Sequence, residues 1–179
     1  MPKKGEKKEK AETENQEVTP EAAEPKEKKS SKKKGVESNA KALKFQEFLM
    51  DNDIRAFSTE SIDDEYQTVI FRSRLEAKGQ QLPMAIYIDM GIFTVIRVQV
   101  ATGMAGDRLA RIGEYLNTLN ARYKIFKYYL RENGSVNIDV CLPFTDETFD
   151  AEMIRLMLNI LVRHLEENYE EFMEHVWAK

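Results

Sequence analysis

Apolar and polar side chains alternate twice between residues 124 and 143, in KIFKYYL (124 to 130) and SVNIDVCLP (135 to 143), on either side of Arg131-Glu132-Asn133-Gly134. This predicts a β-hairpin, because successive strand side chains point to opposite faces and an Asn-Gly pair tolerates the positive φ angles of a tight primed turn. Phe126, Tyr128 and Leu130 then share one face with Val136, Ile138 and Val140. Ahead of the hairpin, Leu109, Ile112, Leu116 and Leu119 trace a helical stripe that ends near Asn120. Gly113 interrupts that helix at a cost of roughly 1 kcal/mol relative to alanine, which predicts close approach of another element. Behind the hairpin, a long helix starts near Thr148 or Phe149. Its stripe runs through Met153, Ile154, Met157, Leu158, Leu161, Val162, Leu165, Tyr169, Phe172 and Val176, with Glu166, Glu167, Glu170, Glu171 and Glu174 on a solvated side.

Upstream, Ala42, Phe45, Phe48 and Leu49 predict a helix over residues 39 to 50, with Ser38 or Asn39 as its cap. A short extended piece follows from Ile54 to Ser58, and then an acidic loop with Asp63, Asp64 and Glu65. Alternation resumes over Thr68 to Leu75, Leu82 to Asp89 and Ile92 to Val100, the last two joined by a tight turn at Met90-Gly91. Helix, meander, helix, hairpin, helix is the order of an α+β domain: an antiparallel sheet with helices packed on one of its faces.

Composition divides the chain near residue 38. The first 38 residues hold eleven lysines against nine glutamates, a net of +2, and contain no Phe, Tyr, Trp, Leu or Ile. Such a segment cannot bury enough apolar surface to offset the entropy of ordering, so a disordered charged tail is expected over 1 to 38 and a single domain over 39 to 179. The remainder carries 16 basic and 22 acidic residues, a net of −6. No run approaches the ~20 apolar residues of a membrane span, and the lysine-rich start lacks the apolar core of a signal peptide, which leaves a cytoplasmic protein as the expectation.

The chemistry-bearing residues are few. Cys141, the single cysteine, is expected to be a small buried or half-buried strand residue. His164 and His175 lie eleven residues apart on the last predicted helix, about 16 Å at 1.5 Å per residue, too far to share a metal, and read as surface histidines. Gly103-Met104-Ala105-Gly106 lacks the Lys-Ser/Thr ending of a phosphate loop and reads as a strand-to-helix turn, while Asp63 to Glu65 lacks the calcium-loop pattern. No catalytic residue set, metal site or cofactor site is expected. One constellation stands out: if Val69, Phe71, Ile86, Ile88, Ile96, Val98, Val136 and Ile138 point inward, parity turns Arg72, Arg74, Tyr87, Phe93, Arg97, Gln99, Lys127 and Tyr129 outward. An acidic domain then presents a basic, aromatic sheet face, suited to a protein segment, a second copy, or single-stranded nucleic acid.

The stretch LNTLNARYKIFKYYLRENGSVNIDVCLP (116 to 143) with the helix FDAEMIRLMLNILVRHLEENYEEF (149 to 172) resembles the YbjN family of bacterial sensory transduction regulators. LKFQEFLMDNDI (43 to 54) and Leu82-Pro83 extend the resemblance to roughly residues 40 to 175. It implies a fold similar to that of type III secretion chaperones: small, α+β, dimeric, and binding extended protein segments without transforming them. The expected function is a non-enzymatic adaptor, regulator or chaperone-like protein-binding module. The alternative is a nucleic-acid-associated regulator that uses the lysine-rich tail for salt-dependent attraction.

Overall fold

The computed structural model describes residues 36 and 39–177. The expected tail lies outside the described residues except for Val36, which is buried in the core, so the domain takes in a residue upstream of the expected boundary at 39. Helix α1 (Ala40–Asp51) is followed by strands β1 (Ser58–Ser61), β2 (Val69–Ala77), β3 (Gln80–Ile88) and β4 (Phe93–Ala101). Helix α2 (Arg108–Arg122), strands β5 (Lys127–Leu130) and β6 (Val136–Pro143), and helix α3 (Ala151–Trp177) complete it. All pairings are antiparallel, in one six-stranded sheet of order β1-β2-β3-β4-β6-β5. Meander and hairpin thus join in one sheet of an α+β domain, as the hydrophobic pattern predicts.

The eight residues expected to point inward are all fully buried and meet the helices. Phe45 of α1 sets its ring edge-on to Phe71 of β2, with centroids 4.8 Å apart and planes at 87°, a geometry worth about 1 kcal/mol beyond burial. Asn39 caps α1 by accepting from the Ala42 N–H at 2.9 Å, while its amide donates to the carbonyls of Gln67 (3.1 Å) and Ile88 (3.2 Å). Lys41, almost wholly buried, clasps the same end of the sheet: its ammonium donates to the Gly91 and Phe144 carbonyls. Burial lowers its pKa, against an opposing pull from Asp89 and Asp146. Asp150 caps α3, accepting from the Glu152 (2.9 Å) and Met153 (3.1 Å) N–H groups.

Two turns differ from expectation. The primed turn is not at Asn133-Gly134, where only the glycine has positive φ (+73°). There the Gly134 N–H donates to the Arg131 carbonyl (2.9 Å) and Arg131 N–H to Ser135 (2.9 Å), a three-residue loop closed by a left-handed glycine. The primed turn is Lys78-Gly79, both at positive φ (+48°, +71°) between the paired Ala77 and Gln80; it carries β2 and β3 two residues past the expected strand ends. At Met90-Gly91 the turn is held by Asp89, whose carboxylate accepts from the Gly91 N–H at 2.8 Å.

Gly113 meets nothing within 4 Å of where a Cβ would stand, so close packing does not explain it. Gly134 is the glycine under approach: a Cβ there would lie 2.2 Å from the Met104 carbonyl oxygen, and Met104 N–H donates to the Gly134 carbonyl at 3.0 Å. The Gly103-to-Gly106 segment is thus a turn strapped to the hairpin.

Candidate functional site

None of the described helices covers the other side of the sheet. One row of paired positions crosses all six strands there: Ser58, Arg72, Ala85, Arg97, Asp139 and Lys127. Because Ala85 is small, a hollow of about 170 Å³ opens above it, lined by Arg72, Tyr87, Arg97, Gln99, Arg131 and Asn137.

Arg97 is the centre of this face. Its Nε and Nη2 donate to the two carboxylate oxygens of Asp139 at 2.9 and 2.8 Å, a bidentate pair. Its guanidinium also stands 5.0 Å from the Tyr87 ring centroid and 5.6 Å from that of Tyr129. The Tyr129 hydroxyl donates to Asp139 at 3.2 Å, and Lys127 Nζ lies 5.8 Å from the Tyr129 ring. The Asp139 hydrogen bonds raise the Arg97 pKa. Burial, then the Asp139 charge, pushes the Tyr129 phenol up to about 12. Arg72 is held by Glu60 of β1, Nε to Oε2 at 2.8 Å. Among the described residues, Arg74, Lys127 and Arg131 have no carboxylate within ion-pair distance.

All seven candidate residues face outward, but they do not form one site. Arg72, Tyr87 and Arg97 line the hollow, with Gln99; Tyr129 and Lys127 flank its Arg97–Asp139 wall. Arg74 lines a second, wider groove of about 650 Å³ with Arg55, Phe57, Ser58, Arg72 and Gln81. Phe93, 53% exposed, sits four residues before Arg97 on β4, about 13 Å away, beside exposed Met90 and Ile92. Asp139, Asn137 and Arg131 were missed by the sequence reading. The signal for two of them is the outward parity of β6, which alternates Asn137, Asp139 and Cys141.

Beside the second groove the sheet edge is open among the described residues. β1 pairs with Val69 to Arg72, and no other described strand lies beside Ser73 to Ala77 of β2.

Two residue expectations are corrected. Cys141 is exposed: it shares the outward parity of its partner Val95, and β5 stops short of it at Lys127. His164 is a buried residue, not a surface one, packed on the Phe126 and Tyr123 rings and hydrogen-bonded through Nε2 to the Tyr128 hydroxyl. The Asn168 amide donates toward its Nδ1 (3.3 Å), so the neutral ring carries its proton on Nε2. A second proton would set N–H against N–H, and burial, then the Arg122 charge, draws its pKa down to about 4. His175 is exposed as expected, stacked on Tyr115 at 3.7 Å.

No family model, curated protein or solved structure matches the chain. Among the described residues no helix is long and apolar enough to cross a membrane, and no cluster of His, Cys, Asp or Glu could hold a metal.

Proposed function

We propose that this protein is a non-enzymatic adaptor or chaperone-like module that binds an extended segment of another protein on the uncovered face of its sheet. The observation that carries the reading is the rigid Arg97 guanidinium, fixed by Asp139 between two tyrosine rings beside a hollow that no described helix covers. Arginine and tyrosine held in one geometry lose little entropy when a partner docks, and both dominate binding hot spots. The open edge of β2 beside Arg74 adds main-chain donors and acceptors that an extended segment can pair with. The resemblance to YbjN regulators agrees with this reading, and we propose with it a homodimer, for which the exposed Met153 and Leu156 of α3 offer apolar surface.

The test is selection from a random peptide display library on the full chain, with the double variant Tyr87→Ala, Arg131→Glu as counter-target. Enriched peptides should bind the parent chain at least tenfold more tightly. Peptides that bind both chains equally would remove the face from the function. A single-stranded oligothymidylate whose binding falls steeply with salt, and is lost in the double variant, would favour the nucleic-acid regulator instead.

A further inference from the structure

The sequence contains an acidic run outside the described residues. Residues 11 to 25 hold Glu12, Glu14, Glu17, Glu21 and Glu24 and no basic residue, between lysine-rich flanks. The domain is acidic overall, yet its outward face gathers Arg72, Arg97 and Arg131 around one hollow and Arg55, Arg72 and Arg74 around the adjacent groove. Arg131 and Arg74 meet no carboxylate among the described residues. A guanidinium presents five N–H donors, so even Arg97, with two committed to Asp139, retains donors for a further carboxylate.

Chain length permits the meeting. Val36 is anchored in the core, and the ten residues from 26 to 35 span up to about 35 Å when extended. Six strands at ~4.8 Å make a sheet about 24 Å wide. Arg72 and Arg97 lie two strands apart, about 10 Å between backbones. A chain in the polyproline II form repeats every three residues, about 9 Å, so Glu14 and Glu17 would fall on one side of it at nearly that spacing.

We propose that the acidic run of residues 11 to 25 is an intramolecular ligand of the arginine-lined sheet face, and that an external partner must displace it. This rests on the reading of that face as a docking surface and gives it a built-in competitor. A tether of this length supplies an effective concentration on the order of 1 mM. If the free segment binds with a Kd on the order of 0.1 mM, occupancy in cis weakens any competitor about tenfold.

The experiment titrates a fluorescein-labelled peptide of residues 11 to 25 against four full-length chains, read by anisotropy. The first is the parent. The second has glutamine at all five glutamates (E12Q, E14Q, E17Q, E21Q, E24Q). The third adds Arg131→Glu to the second, and the fourth changes only Glu167, Glu171 and Glu174 of α3 to glutamine, as a control for bulk charge. The five-glutamine chain should bind the peptide about tenfold more tightly than the parent, the Arg131→Glu chain should lose at least tenfold of that, and the α3 variant should change less than twofold. Equal binding to parent and five-glutamine chains, lost with Arg131→Glu, would overturn occupancy in cis and leave the docking face standing. Binding to none of the four, or an equal gain in the α3 variant, would overturn the proposal outright; the display selection then judges the face independently.

Discussion

Truncating Arg97 should destabilise the fold, although the residue lies on the solvent side of the sheet. Asp139 is only 8% exposed at its side chain, against 29% for Arg97, and its carboxylate takes two charge-assisted hydrogen bonds from the guanidinium. Arg97→Ala leaves that carboxylate with the Tyr129 hydroxyl alone among these partners. Breaking a fully buried pair costs about 3–5 kcal/mol; water reaches this one from the Arg97 side, which brings the expected loss to about 2–3 kcal/mol. For a domain of this size that is roughly 8–10 °C in Tm. Urea denaturation of Arg97→Ala, Asp139→Ala and the double variant checks it. The double variant should be more stable than the sum of the single losses implies, by at least ~1.5 kcal/mol, because removing both partners leaves no unpaired charge. Arg74→Ala, exposed on the same face, should stay within ~0.5 kcal/mol of the parent. If Arg97→Ala behaves like Arg74→Ala, or the coupling is near zero, the pair is a surface ornament and the rigidity argued for the binding face is wrong.

Stability should fall between pH 6.5 and about 4: the folded His164 pKa is depressed below its unfolded value, so the unfolded chain binds the extra proton first, and the loss is roughly 2–3 kcal/mol once pH is below both values. His164→Gln should flatten that part of the profile measured by denaturation. Gly134→Ala should cost more than ~2 kcal/mol, because both its φ and the Met104 carbonyl oppose a Cβ, whereas Gly113→Ala should stabilise by about 0.5–1 kcal/mol; paired melting curves decide between them. Deleting residues 1 to 35 should cost about 1.4 kcal/mol, the linkage contribution of a tenfold-occupied ligand in cis, while deletion through residue 37 also removes buried Val36 and should cost about 1–2 kcal/mol more.

The sheet was legible because the inward residues of β2, β3, β4 and β6 are two apart within each strand, broken by one register shift between Gln99 and Ala101, and a half-buried antiparallel sheet demands that period. The turns were not, because residue type constrains φ only loosely. Asn133-Gly134 carries the stronger primed-turn composition, yet the primed turn formed at Lys78-Gly79, where strands in perfect register at Ala77 and Gln80 left two residues to close the loop. Gly113 shows the same limit from the other side: a glycine's cost can be read in sequence, but the space around it cannot.

Parity found the outward face but could not find its charge. Counting Arg72, Arg74, Arg97 and Lys127 makes the face strongly basic, whereas cross-strand pairing places Asp139 opposite Arg97 and Glu60 within reach of Arg72, so two of the four cations are already met within the domain. Among the described residues, the cations of this face left without a carboxylate are Arg74, Lys127 and Arg131. They border the hollow and groove rather than fill the centre. Carboxylates docked there, as proposed, would meet a rigid, largely neutral platform of guanidinium and tyrosine rings, with charge around its rim. That arrangement gains specificity from the fixed centre and attraction from the rim, since desolvating Arg97 was already offset by Asp139 when the domain folded.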